Sequence, residues 1–360
     1  GVGHTIPLGD PVTNTQVHAR MFSVGTSIFG WSMEKANIVR GSLWARILLG
    51  IAEMGTSTVL LYGPMVLSHE GGHVGVGKRA GVNSYVVWSQ FKWFTALSHT
   101  DAGLTPEQET ALNAGGLNQQ VFNAGAIYNQ AALRGWFYPQ EAIGYLLGQW
   151  GTPGYSMTTF WKDPPQDPSK DTHDVRKYAN SPGTWSAKGI FAASLVTALP
   201  SAVAGVWSAV RLMGWKKRRL EIPGVTIGST KLLFPHLRTL LTPQGTILGA
   251  ETMLRTKGKW PHFSFSLDVL ASKNPAVSVG VKAHGAQIPG LPTSLRISPF
   301  LRGTFASTCG VYGGVEARMD ILKGFGASVS LAGGINDLLS GPQGIKPGVQ
   351  ATGSLHFTLP

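Results

Sequence analysis

The chain has 360 residues with 30 Lys and Arg against 18 Asp and Glu, a formal net charge of +12, only 13% charged residues and 47 glycines. That length accommodates two domains with substantial cores, while so little charge and so much glycine exclude the composition of an ordinary soluble enzyme. A mean hydropathy of +0.06 also excludes a chain built mostly from membrane-spanning helices, which leaves a protein that meets lipid through part of its surface.

The basic residues are scattered apart from Lys216-Lys217-Arg218-Arg219, and no basic stripe is interleaved with aromatics, so no nucleic-acid partner is expected. The cluster follows an apolar segment and suits anionic lipid headgroups. It equally suits the negative end of a helix. Cys309 is the only cysteine, which excludes an intrachain disulfide. A start at Gly1 without an apolar signal segment is the expectation for a mature chain whose targeting peptide has been removed.

In chain order, residues 1–40 are mixed, with a turn-rich Pro7-Leu8-Gly9-Asp10-Pro11, and have no readable role. Ser42 to Leu67 is strongly apolar and predicts a helix broken at Gly63-Pro64. It carries Arg46 and Glu53, whereas a clean lipid span needs about 20 apolar residues with few charges, so burial in protein or partly in the interface is expected.

At the end of that segment stands Ser68-His69-Glu70-Gly71-Gly72-His73. On a helix, His69 and His73 are four residues apart and project from one face, where both imidazoles can hold one zinc ion. Glu70 lies beside them, placed to take a proton from an attacking water as general base in metal-assisted hydrolysis. The two glycines cost about 1 kcal/mol each in helix propensity, which is tolerable where a neighbouring backbone or a substrate must come close. A hydrogen-bonded polar cluster in a helical core would use the same residues.

The run His-Glu-Gly-Gly-His-Val-Gly-Val-Gly-Lys-Arg-Ala-Gly-Val, residues 69–82, resembles the metal-binding segment of the site-2 protease family, in which His-Glu-x-Gly-His is followed by small residues, a basic residue and Gly-Val. Ala114-Gly115-Gly116-Leu117-Asn118 is similar to that family's Ala-Gly-Pro-x-x-Asn helix, and the likeness spans residues 60–130 at most. It implies a zinc metallopeptidase with His69 and His73 as ligands, Glu70 as catalytic base and a peptide as substrate. The family's third ligand, an Asp in a Leu-Asp-Gly segment, has no counterpart because that tripeptide is absent. A catalytic zinc takes three protein ligands, so the third comes from elsewhere. Candidates are His173 and Asp174, which rank first with His173 as the expected ligand, then Glu141, with His99 and Asp101 nearer in sequence.

Between them, Ser84 to Phe94 reads as a strand, and residues 106–150 read as two helices, the first starting at Pro106-Glu107. Asn113, Asn118, Gln119, Gln120, Asn123, Asn129 and Gln130 give this region an unusual amide content, suited to hydrogen bonds between helices or to a polar cavity. Residues 162–183 form a Pro- and Asp-rich loop of the length that often serves as a lid. Ile190 to Trp215 is the most apolar helix, interrupted at Pro200, and reads as a bilayer segment or as the centre of the helical domain.

After Ile222 the period changes from helical to two. Phe263, Phe265, Leu267, Val269 and Ala271 alternate with Ser264, Ser266, Asp268 and Ser272, and similar alternation recurs over residues 311–321 and 349–359. Segments of about 10 residues with charge on one face and Gly, Pro or Asn between them are the signature of a membrane β-barrel. Eight are counted: 230–242, 245–257, 260–272, 275–288, 293–306, 309–322, 324–336 and 347–359. An eight-stranded barrel has a filled interior, where Glu251, Arg255, Asp268, Lys282, Arg296, Arg302, Glu316, Arg318 and Asp320 would form a buried charge network. A soluble sandwich or barrel would point the apolar face inward instead.

The expectation is therefore an α+β protein of the bacterial outer membrane: a helical, metalloprotease-like domain over 1–220 and an antiparallel eight-stranded β-barrel over 221–360. Its partners would be membrane lipid, other envelope proteins and a peptide substrate. The alternative is a non-enzymatic component of an outer-membrane assembly with a degenerate or structural metal site.

Overall fold

The computed structural model describes residues 2–8, 15–90, 92–93, 96–159, 173–257, 261–287, 294–306, 309–322, 325–335 and 348–359. The first helix, α1, spans Thr15–Ala36. Next comes α2, Leu43–Arg79, one continuous helix that carries both the apolar segment and the motif. Ser42 caps its start by accepting from the Ala45 amide. Pro64 does not break it, contrary to the expectation at Gly63-Pro64. Trp93 packs on Gly63 and donates to the Val59 carbonyl at 2.5 Å, which supports the turn that the proline disturbs.

Buried residues within α2 change along its length. Gly50, Glu53 and Ser57 lie on one buried stripe, with Trp44, Leu48, Ile51, Val59 and Leu60 exposed, whereas almost every residue from Ser68 to Gly77 is buried. Of the charges that argued against a clean span, Glu53 is neutralised by Arg218 through two bonds of 2.7 and 2.8 Å, whereas Arg46 donates to the Gly214 carbonyl and keeps its charge.

The long predicted strand at 84–94 is only β2, Ser84–Val86, paired with β3, Ser98–Thr100. The two helices expected over 106–150 are α3, Pro106–Arg134, and α4, Pro139–Thr158. α3 opens with a capping box between Thr105 and Gln108 and Pro106 in its first turn. Residues 162–172 of the predicted lid lie outside the described residues; the rest carries a short α5, Asp174–Ala179. α6 spans Ala187–Trp215 and packs along α4 and α2, leaving Val196, Leu199, Val203, Val206 and Val210 exposed.

The second half is an antiparallel sheet of β8 (His236–Thr242), β9 (Gly245–Thr256), β10 (His262–Ala271), β11 (Ala276–His284), β12 (Leu295–Phe305), β13 (Gly310–Leu322), β14 (Phe325–Ile335) and β15 (Gly348–Leu359), each paired with its sequence neighbour. The first predicted segment, 230–242, splits into β7, Thr230–Leu233, and β8, both pairing with β9. β1, Val2–Leu8, joins as the partner of β15, so the unreadable N-terminal stretch belongs to the sheet. A short pair also crosses the expected domain boundary, β4, Trp136–Phe137, with β5, Leu220–Glu221. β6, Gly224–Ile227, extends β7.

The sheet does not close into the expected barrel: among the described residues β1 and β8 do not pair. The outer edge of β8 is satisfied by helix side chains instead. Asn118 of α3 donates to the Leu241 carbonyl at 2.6 Å and accepts from the Leu241 amide at 2.8 Å, reproducing what a neighbouring strand would offer. Gln149 of α4 donates to the Leu237 carbonyl, and Tyr178 of α5 donates to the Thr242 and Gly245 carbonyls. Helix side chains thus occupy the edge of β8 at which a closing strand would pair.

The two faces of the sheet are reversed relative to a soluble one. Along β10 and β11, Phe265, Leu267, Val269, Val277, Val279 and Val281 are exposed while Ser264, Asp268 and Ser278 are buried. Part of the expected inner charge network forms, with Arg238 as an unforeseen member and without an ion pair to Arg255 among the described residues. Arg238 bridges Asp268 and Glu251, Arg302 also reaches Asp268, and Lys282 pairs with Glu316. The side chain of Asp320 lies outside those described. Toward the β8–β9 end the inner face becomes apolar, and Leu240, Ile247, Leu270 and Ala276 pack on Val121 and Phe122 of α3.

Candidate metal centre

His69 and His73 sit one turn apart in α2 and turn their Nε2 atoms toward each other at 3.2 Å. α3 crosses directly above. A Cβ at Gly72 would lie 2.3 Å from the Gly115 carbonyl oxygen, and one at Gly116 would lie 2.5 Å from His69 Nε2 and 2.6 Å from His73 Nε2. Thus glycine in both helices is what lets the backbones meet over the two imidazoles. The segment Ala114 to Asn118, singled out by its similarity to the protease family's second motif, is the part of α3 that makes this crossing.

The third member is Asp174, the first residue of α5. Its Oδ2 lies 3.0 Å from His69 Nε2 and 3.2 Å from His73 Nε2. Among the described residues, His69, His73 and Asp174 form the group able to hold a metal ion. Donor atoms at 2.0 to 2.2 Å from a tetrahedral zinc stand roughly 3.3 Å or slightly more apart, so a triangle with sides of 3.0, 3.2 and 3.2 Å is close to one face of such a tetrahedron.

Tautomers support the same conclusion. His73 Nδ1 donates to the Leu112 carbonyl at 2.6 Å, which fixes a proton on Nδ1 and leaves Nε2 to hold either a second proton or a metal ion toward the carboxylate. Two acceptors cannot face each other without a cation or proton between them, and an imidazole held by a backbone carbonyl is the usual outer support of a metal ligand. His69 Nδ1 is buried without a hydrogen-bond partner, and its ring stacks on Tyr155 at 5.2 Å.

Burial would push the Asp174 carboxyl up, but the adjacent imidazoles of His73 and His69 outweigh it and hold the group well below the usual carboxylate range. Tyr155 is pushed up by burial and by the negative charges of Asp174 and Glu70, so it is a neutral phenol. Glu70, at the edge of buried, shares this field without contributing to the triangle.

The ligand expected from the sequence, His173, does not join the group. It is the N-cap of α5, its Nδ1 accepting from the Arg176 amide and its Nε2 paired with Thr158 Oγ1 at 2.6 Å. Its neighbour Asp174 is the residue that stands with the two histidines. Glu141 is occupied elsewhere, accepting from the Tyr138 amide, from Arg134 and from Ser27. His99 and Asp101 pair with each other at 3.0 Å on an exposed edge. Sequence reasoning missed Tyr155 and the Leu112 carbonyl, neither of which carries a spacing signal; Gly115-Gly116 opposite Gly71-Gly72 was the readable hint of a close helix crossing.

α5 has only six residues and is held from outside. Val175 and Tyr178 are fully buried with Leu117 of α3, Ile190 of α6 and Leu241 of β8, and the Tyr178 hydroxyl is tied to the β8–β9 hairpin. The third donor is therefore positioned by the sheet and the first two by the helices.

Compared with protein-family models, with curated proteins and with solved structures, the chain matches none. The likeness of residues 60–130 to site-2 proteases thus rests on the motif residues themselves.

Proposed function

We propose that the protein is a membrane-embedded, zinc-dependent peptidase in which His69, His73 and Asp174 hold the metal and Glu70 is the general base. The observation that carries this reading is the near-tetrahedral triangle of donor atoms, with His73 fixed in the tautomer a metal requires. A bound zinc supplies a polarised water and a Lewis acid for the scissile carbonyl. The chain's own part is to orient the imidazoles through Leu112 and Tyr155, to keep Asp174 ionised, and to take the water proton on Glu70 and pass it to the leaving amine.

The membrane assignment is supported by the inverted sheet, whose apolar side chains face outward over β10 and β11, together with the exposed apolar faces of α2 and α6. Clustered exposed apolar side chains of this kind mark surfaces that meet a partner or a membrane. α2 and α6 are also long and apolar enough to cross a membrane. Residence in a bacterial outer membrane accords with the alternating strands and with apolar helices that carry Arg46, Glu53 and Arg211. A second reading, a non-catalytic metal staple within an envelope assembly, is favoured by how little of His69 and His73 reaches the surface, 3% and 7%.

Metal analysis by mass spectrometry on the purified protein tests the site. About one zinc per chain is expected, lost in His69→Ala and Asp174→Ala and kept in Glu70→Gln. Peptide hydrolysis by the native protein should fall by a factor on the order of 10³ in Glu70→Gln. Zinc without hydrolysis would select the staple, and no metal would sink both.

A further inference from the structure

We propose that the cleft between the start of α2 and the end of α6 is a selective binding site for the phosphate headgroup of an anionic phospholipid. The cleft has a volume of about 630 Å³ and is lined by Arg46, Arg211, Lys216 and Lys217 together with Trp207 and Trp215. No carboxylate lines it. This inference rests on the membrane reading given above and adds a chemical preference to it.

The cluster noted in the sequence divides in the folded chain. Arg218 is buried in its pair with Glu53, and Arg219 is held by Glu34 at 2.9 Å, so neither is free for a ligand. Lys216 and Lys217 are different. Together with Arg46 and Arg211 they have no acidic partner among the described residues. Arg46 is anchored by its Nη1 to the Gly214 carbonyl, yet its Nε is buried without a partner. Lys216 adopts a left-handed conformation, φ 56°, which turns the chain so that Lys217 follows it back over the helix end. Four cations around one cleft repel one another unless an anion sits among them.

The surroundings decide which anion. From Trp215 the exposed apolar stripe of α6 runs back to Val196, 19 residues or roughly 28 Å at 1.5 Å per residue, close to the roughly 30 Å of a bilayer's hydrocarbon. Trp44, 75% exposed, stands at the same end on α2. Cations and tryptophans gathered at one end of an apolar stripe mark the headgroup level. A phosphate diester would thus sit on the cations, with its acyl chains along Val206 and Val203. A free phosphate would satisfy the cations alone, leaving the stripe uncovered.

Flotation with phosphatidylcholine vesicles first separates the two readings: protein that does not float overturns the membrane assignment, and this site with it. For protein that floats, native mass spectrometry with equal amounts of phosphatidylglycerol and phosphatidylcholine should find one phosphatidylglycerol retained with about tenfold preference. The preference should vanish in the doubly substituted Arg211→Gln/Lys217→Gln chain, checked for folding by its circular dichroism and flotation, and persist in Arg219→Gln. Equal retention of both lipids, or an unchanged preference in the double variant, overturns the proposal. Displacement of the lipid by excess inorganic phosphate assigns the cleft to free phosphate and also overturns it.

Discussion

At the residue scale the centre turns on two adjacent positions, His173 and Asp174. Their order along the chain left the choice open, and helix geometry resolves it. The N-cap residue has extended backbone, here φ −90° and ψ 102°, and turns its side chain back onto the helix start. The next residue is free to point across to α2. His173→Ala should therefore cost about 1 kcal/mol of stability as a lost cap while metal content stays unchanged, read by thermal melting and metal analysis on the same sample. Asp174→Asn should do the reverse with metal. In metal-free protein it also reveals a pH dependence. A carboxyl whose folded value is depressed contributes stability above its unfolded value, about 3.9, and loses it as pH falls toward the folded one. The native chain should melt above Asp174→Asn at pH 7, with the gap closing below about pH 4. A gap that widens in acid would contradict the ionised Asp174. Gly116→Ala forces a methyl onto both Nε2 atoms and should abolish metal binding although it is a good helix former.

The elements were unevenly legible. Helices α3, α4 and α6 were readable because proline starts and apolar runs are local signals, and seven of the long strands because period two is local as well. Barrel closure was not readable, because it depends on what covers one edge, and the covering groups are amides 123 residues away in sequence. The amide-rich stretch was noticed without its purpose. Asn118 supplies both a donor and an acceptor to Leu241, so replacing it with Leu leaves two buried backbone groups unpaired, each costing about 1 to 3 kcal/mol. Asn118→Leu should lower the midpoint of unfolding markedly, whereas Gln244→Ala, which breaks only an exposed bond to Glu107, should leave it within error. His69, Glu70 and His73 were legible through spacing; Asp174 was legible only as one of several acids, because a ligand brought in by tertiary docking has no sequence period.

At the scale of the whole molecule, the same alternation fits a soluble or a lipid-facing sheet, and the sequence leaves open which face turns outward. Burial of Ser264, Asp268 and Ser278, with Val277, Val279 and Val281 outside, makes the surface apolar and the interior polar. A charge placed on that outer face should be penalised by about 2 to 4 kcal/mol if it lies at mid-bilayer. Val279→Arg is therefore expected to reduce insertion into vesicles while leaving the folded content in detergent, whereas insertion equal to the native chain would remove the lipid-facing assignment of β11.

The docking of α5 on the β8–β9 hairpin has one more consequence. Two donors come with a helix that can form early, whereas the third arrives only when the sheet edge is in place. Metal affinity and sheet assembly are therefore thermodynamically linked: an ion that binds only the docked state, present at 1,000 times its dissociation constant, adds about 4 kcal/mol to the stability of both halves together. A chain whose strands have not assembled would hold two imidazoles and a glutamate but no complete centre. For the proposed peptidase, the metal centre would be complete only once α5 has docked on the β8–β9 hairpin.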